Sequence, residues 1–157
     1  TFPLAAVAMT EKIAEAFAEG PEFFSTFGGS SAACAAGAAV LDVLNDERLP
    51  ENAQKVGDTM LAGLRELATR HEIIGDVRGF GLFLGVELVT DRKTRKPATA
   101  AASHVKNGLR ARKILLGVEG PDDNVLKIRP PLTFDAAAAD RLLTELDDIL
   151  KAAASIN

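Results

Sequence analysis

Cysteine occurs once in this 157-residue chain, at position 34, and tryptophan and tyrosine do not occur at all. One thiol can neither close an internal disulfide nor supply the paired thiolates of a structural zinc site. A reducing, cytosolic setting is therefore expected, with Cys34 a packed thiol rather than a nucleophile, because it stands within a run of small residues. Histidine is scarce as well, and neither His71 nor His104 adjoins a nucleophile motif such as G-x-S-x-G. Both are expected on the surface, and a hydrolase triad has no support. H-E-x-x-H and EF-hand spacings are missing too, so metal chemistry is not expected.

No apolar stretch approaches the ~20 residues that span a bilayer, and the opening TFPLAAVAMT lacks the basic flank of a signal peptide. Eighteen basic residues against 22 acidic ones leave a net charge of −4, with no basic block and no aromatic residues interleaved with cations. Nucleic acid and anionic membrane are thus excluded as expected partners. The densest charge run, DRKTRK at 91–96, reads as a solvated loop. What the chain does have is 47% hydrophobic content, ample for the core of about one globular domain. It begins without Met and runs directly into apolar residues, as expected of a segment of something longer.

Along the chain, Pro3 to Met9 is an apolar run of strand length, and Thr10 is placed to cap a helix over EKIAEAFAEG that Gly20 stops. Ser30 or Ser31 suits the N-cap of a helix ending near Asn45, packed in its second half by Val40, Leu41, Val43 and Leu44. Pro50 opens a connecting helix whose Val56, Met60, Leu61, Leu64, Leu67 and Ala68 recur at helical spacing. From Ile73 the pattern changes to IIGDVRGFGLFLGVELVT, β-forming residues punctuated by Gly79, Gly81 and Gly85, read as strand. A helix over 98–112 follows, with Ala101, Val105 and Leu109 inward. KILLGV and VLKIR then form a hairpin across the turn EGPDDN. Pro130 and Pro131 end that hairpin, and Asp135 caps a last helix with Ala139, Leu142, Leu143, Leu146, Ile149, Leu150 and Ala153 along its inner stripe. The expected organisation is α/β: residues 1–45 as the end of a larger α/β body, 46–72 as a connecting helix, and 73–157 as a small α+β domain with helices against one sheet face.

One stretch remains, STFGGSSAACAAG at 25–37, where two glycines and two serines run into eight residues with almost no side chain. Bare backbone amides at a helix start can hold an anion, and a small-residue helix can pass close to another element. By itself the stretch permits a plain turn and capped helix or an anion cradle. It is no P-loop, since no lysine follows the glycines. RGFGLFLG fails as a dinucleotide fingerprint because its glycines lie in a strand instead of opening a helix.

Four segments, FPLAAVAMTEKIAEAF, STFGGSSAACAAGAAVLDVL, GDVRGFGLFLGVELV and NVLKIRPPLTF, stand in an order and spacing that resemble the class III aminotransferases, pyridoxal-phosphate enzymes of fold type I. The likeness spans essentially the whole chain and is greatest to the subgroup holding ethanolamine-phosphate phospho-lyases and alanine–glyoxylate-type transaminases. The resemblance implies a homodimer in which Thr26, flanked by Ser25 and Phe27, reaches the cofactor phosphate of the neighbouring subunit. It also implies that the helix from Ala32 to Ala39 is small because it packs near that interface.

In the family a lysine forms a Schiff base with pyridoxal phosphate and an aspartate keeps the pyridine nitrogen protonated, both upstream of the F-P-x-A-A-V segment. None of Lys12, Lys55, Lys93, Lys96, Lys106, Lys113, Lys127 or Lys151 stands in that lysine's context, so the isolated chain is expected to be inactive. Many members carry an arginine for the substrate carboxylate where this chain has Lys127. Lysine cannot form that bidentate fork. Arg129 shares its strand face, so the pair is expected to hold a carboxylate less rigidly or a phosphate instead, with Arg78 a weaker substrate-binding candidate. The resemblance thus implies a C-terminal portion of an enzyme moving an amino group between an amine or amino acid and a keto acid. A phospho-lyase acting on a phosphorylated amine is the alternative within enzymes. A free-standing anion-binding module is the alternative outside them.

Overall fold

The computed structural model describes residues 3–153, which form two units divided between Arg48 and Leu49. Residues 1–2 and 154–157, the outer ends of the expected 1–45 and 73–157 regions, lie outside the described residues.

In the first unit, α1 (Glu11–Ala18) follows Thr10 and α2 (Ser31–Asp46) follows Ser30. Both residues occupy the N-cap position, yet neither hydroxyl bonds its helix's first turn. The strand expected over Pro3–Met9 does not form: these residues are irregular and exposed, Val7 at 81%. A strand needs a neighbour to take its backbone hydrogen bonds, and the described residues of this unit contain no second strand. The same want of apolar partners leaves Val40, Leu41 and Val43 exposed where packing was expected, and exposes Cys34 as well. Ala33 is the buried hydrophobic residue of α2. Gly37 has a local use, for a Cβ there would lie 2.3 Å from Leu4 Cδ2, so Leu4 rests on bare helix backbone.

The second unit opens with α3 (Leu49–Arg70), which buries Val56, Met60, Leu64 and Leu67 at spacings of three and four. The segment read as strand turns back on itself, because Gly81 adopts φ +52 and closes a hairpin between β1 (Ile74–Phe80) and β2 (Phe83–Asp91). Gly57 of α3 lies against that turn: a Cβ on it would stand 2.1 Å from the Gly81 carbonyl oxygen. Backbone meets backbone there.

Then follow β3 (Lys96–Pro97), α4 (Thr99–Ala111), β4 (Gly117–Glu119), β5 (Val125–Ile128) and α5 (Ala136–Ala153). Asp135 caps α5 as expected, its Oδ1 accepting the Ala138 N–H at 2.8 Å. The strand expected over KILLGV is shorter, since Ile114 N–H still bonds the Leu109 carbonyl of α4 at 2.9 Å and pairing starts only at Gly117. The antiparallel sheet runs β1-β2-β5-β4, with β3 also paired to β2. Leu84, Val86 and Leu88 of β2 join Leu126 and Ile128 of β5 in one core with the apolar stripes of α3, α4 and α5. The opposite sheet face presents Arg78, Phe80, Phe83 and Lys127, as the strand alternation dictates.

Three polar residues fasten this unit. Asn124 is buried and donates to the Leu88 carbonyl at 2.8 Å while its own carbonyl accepts the Leu88 N–H, tying the 120–124 turn to β2. His71, expected on the surface, is only 8% exposed, because its ring enters the gap between α3 and α5 and meets Asp147. Arg92, within the run read as a solvated loop, turns back on α3. It donates to the carbonyls of Glu72 at 3.1 Å, Ile74 at 3.0 Å, His71 at 2.9 Å and Ala68. Ala68 lies in the last turn of α3, where carbonyls have no partner within the helix, and the other three carbonyls belong to the link into β1, so one guanidinium clasps both.

Candidate functional site

Each unit carries one element with the chemistry of a binding site. In the first, the loop ahead of α2 is ordered by Ser25, whose Oγ accepts the Gly28 N–H at 3.0 Å. A Cβ on Gly28 would come within 2.9 Å of Ser25 Cβ, and Gly29 sits at φ +73, so both glycines are required by the turn itself. Ser25 thereby acts within its own loop, while Thr26 and Phe27 stay exposed, Phe27 at 88%. The Thr26 hydroxyl, one residue from the turn's internal bond, is an exposed donor five residues ahead of α2. Such a donor fits a phosphate oxygen.

In the second unit a cleft of about 770 Å³ lies beside β4 and β5 and the first half of α5. Lys127 and Arg129 both line it. The strand puts Lys127 on the face away from the core, its stem over Gly117, and its ammonium pairs with Glu119. Arg129 follows the end of β5, with its guanidinium carbon 6.0 Å from the centre of the Phe83 ring, within cation–π range.

Arg78 does not line this cleft. It stands in register with Lys127 across Gly85 (Arg78↔Gly85, Gly85↔Lys127), and its guanidinium donates to Asp76 at 2.6 Å and to Glu87 at 3.0 Å. The bond to Asp76, and then that to Glu87, hold its pKa above the usual arginine value. With two carboxylates engaged, Arg78 braces β1 on β2. Lys113 and Arg141, which sequence reasoning did not single out, also line the cleft. Nothing in their local sequence marks them, because the fold alone brings them beside Lys127. Arg141 donates to the Arg112 carbonyl at 2.8 Å, joining α5 to the end of α4.

An antiparallel sheet covered on one face by helices, joined in sequence to a glycine loop that opens a small-residue helix, is the C-terminal pattern of fold type I pyridoxal-phosphate enzymes. The chain belongs to the class III aminotransferase family: residues 1–150 match the profile described as Aminotransferase class-III, and pyridoxal phosphate is that family's cofactor. It is 47% identical over 146 residues to the Arabidopsis thaliana protein named alanine–glyoxylate aminotransferase 2 homolog 2, mitochondrial, covering 93% of this chain and 30% of that protein. Among solved structures it resembles an Arthrobacter phospholyase in complex with phosphoethanolamine, with TM-score 0.83, 37% identity, and coverage of 90% of this chain and 34% of that one. It also resembles an amine transaminase from an uncultivated Pseudomonas species in its PLP-bound form, with TM-score 0.79, 33% identity, and coverage of 91% and 34%. The chain therefore spans about a third of the length of these relatives. Among the described residues, no helix is long and apolar enough to cross a membrane.

Proposed function

We propose that these residues form the C-terminal part of a pyridoxal-phosphate-dependent aminotransferase that moves an amino group between an amine or amino acid and a keto acid. The observation that carries this reading is the convergence of Lys127 and Arg129 on one cleft, in a chain whose family performs this reaction. In that role the two cations hold the substrate's anionic group, and Phe83 restrains the Arg129 guanidinium from one side. Thr26, presented by the Ser25–Gly28 turn, donates its hydroxyl to the phosphate of a cofactor held by a second subunit, with Ser25 and Phe27 shaping the loop. The working protein is accordingly a homodimer. When bound, pyridoxal phosphate supplies the electron-withdrawing ring that permits bond cleavage at the amine-bearing carbon.

A second reading is favoured by one specific pair of observations: lysine at position 127 and the likeness to a phospholyase crystallised with phosphoethanolamine. A point cation without a fork suits phosphate as well as carboxylate, and such an enzyme would eliminate phosphate from a phosphorylated amine. The compartment proposed is the cytosol, since a chain with one thiol has no internal disulfide that calls for an oxidising compartment; the Arabidopsis relative is named mitochondrial, and cell fractionation decides between them.

The deciding experiment uses the full-length protein whose reading frame contains these residues. It is assayed with an amino donor plus keto acid, and separately with phosphoethanolamine alone. Keto-acid-dependent transfer supports the first reading. Phosphate release without any keto acid replaces it with the second. A protein that neither binds pyridoxal phosphate nor dimerises would return the chain to a free-standing anion-binding module.

A further inference from the structure

Lys127 of β5 stands directly between two glycines, Gly85 of β2 on one side and Gly117 of β4 on the other. Glycine inside a strand gives up side-chain packing and conformational entropy, and its usual reasons are a bulge, a positive φ or the close approach of another group. The pairing of β5 with both neighbours runs without a register shift, and neither glycine takes a positive φ. A Cβ on Gly85 would have its nearest atom, on Val125, at 3.4 Å, and one on Gly117 would have Lys127 Cε at 3.6 Å, both ordinary van der Waals contacts. Every other glycine of the chain either takes a positive φ or has an atom within 3.2 Å of where its Cβ would stand. The fold thus carries two glycines that its own packing does not require, and they flank one cation.

What they leave clear is the sheet surface around the Lys127 stem. Gly85 lies between the buried Leu84 and Val86, so a side chain there would point to the open face. Gly117 lines the same cleft as Lys127. Beyond Gly85 the next side chain in the row is Arg78, whose guanidinium is drawn along the strands to Asp76 and Glu87. Neighbouring strands run about 4.8 Å to either side, so a group wider than the ammonium can come down beside Lys127 and meet bare backbone.

We propose that Gly85 and Gly117 are specificity-determining residues, admitting a carboxylate whose adjoining carbon is branched, which a side chain at either position would hold off the Lys127 ammonium. The proposal rests on the placement of the substrate's anionic group at Lys127 given above, and defines how crowded that group can be. A slim anion at the end of an unbranched chain needs no such clearance.

The test uses the full-length protein and three acids of equal charge and increasing width, acetate, isobutyrate and pivalate, as competitors of the amino donor at constant ionic strength. The wild-type protein is expected to bind pivalate within about threefold of acetate. Gly117→Ala is expected to weaken pivalate about fivefold, at the low end for steric discrimination because the cleft is open, and to leave acetate within about twofold. Gly85→Ala should do the same. Neither variant should melt at a lower temperature, since alanine here restricts the unfolded chain without a clash in the folded one. Lys127→Met, which removes the charge and keeps most of the stem, should weaken all three acids alike. Glycine variants that leave all three acids unchanged, or weaken them equally, would overturn the proposal. Equal losses with a lower melting temperature would give the glycines to packing against the rest of the longer protein. If Lys127→Met weakens the acids and the glycine variants do not separate them, the clearance alone falls. Unchanged competition in Lys127→Met, or none in the wild-type protein, removes the anion from Lys127 and takes the underlying reading with it.

Discussion

His71 Nε2 lies 2.6 Å from Asp147 Oδ1, joining the end of α3 to α5 across 76 residues of sequence. That bond first, then Lys151 and Arg70, hold the Asp147 carboxyl below its ordinary value. A carboxyl whose folded pKa lies below its unfolded one, near 3.9, contributes stability that is fully present above the unfolded value. The contribution is lost as pH falls through the folded value. Asp147→Asn is therefore expected to be less stable than wild type at pH 7 by about 1–2 kcal/mol, the scale of a hydrogen bond to a charged group. In thermal melts the gap should close as the buffer is taken toward pH 2; a gap constant over the whole range would refute the assignment.

Position 57 should tolerate nothing larger than hydrogen. An added Cβ meets the Gly81 carbonyl at 2.1 Å, and both partners are backbone. Gly57→Ala is expected to cost about 3 kcal/mol, at the upper end for overpacking. At Gly63 the obstacle is the tip of Leu143, 2.5 Å away but free to rotate, so Gly63→Ala should cost well under half as much. Chemical denaturation of the two variants measures the contrast.

Thr26→Val keeps shape and removes the hydroxyl. In the full-length protein it is expected to weaken cofactor retention about tenfold, one lost hydrogen bond to a charged oxygen, while Thr26→Ser retains most of it. Spectrophotometric titration of the apo protein with pyridoxal phosphate reads both. Unchanged affinity in Thr26→Val would remove this loop from the cofactor site.

Restoring the fork at position 127 should change preference more than rate. Lys127→Arg is expected to move the ratio of kcat/KM for carboxylate-bearing donors over phosphoethanolamine toward the carboxylate by about tenfold, since a bidentate guanidinium matches two carboxylate oxygens. A ratio that does not move would place the substrate anion elsewhere.

The isolated 157-residue chain, supplied with pyridoxal phosphate, is expected to show no amino transfer. None of its lysines stands in the context of the family's cofactor-binding lysine, and positioning groups do not replace a covalent anchor. Single-turnover assays at high chain concentration provide the check, and any keto-acid-dependent product would contradict it.

Much of the second unit was legible because its signals are local. Asp135 precedes an apolar stripe at spacings of three and four, and α5 begins and packs where that pattern says. Val125 to Ile128 alternates and pairs, and its inward members are buried. The hairpin at Gly81 was missed because strand-forming residues continue unbroken on both sides, and the only mark of the turn is a glycine among glycines. The first unit misled for a different reason. Pro3 to Met9 has the composition of a strand, and composition cannot supply the neighbouring strand that the conformation needs. His71 and Arg92 were misjudged because burial of a polar residue is decided by distant partners, Asp147 for one and four backbone carbonyls for the other. Of the candidate site, Lys127 and Arg129 could be found from one strand, whereas Lys113 and Arg141 required the fold.

Arg92 also governs where this unit can change in length. A slip of one residue along β2 would carry its side chain about 3.4 Å and turn it to the other side of the ribbon. The link from α3 into β1 would then lose its clasp in a single step. Insertions and deletions between Phe83 and Arg92 should accordingly fail, and the hairpin's tip offers no refuge, because Gly81 lies against Gly57 and Leu82 is buried, so the length of this ribbon is fixed at both of its ends.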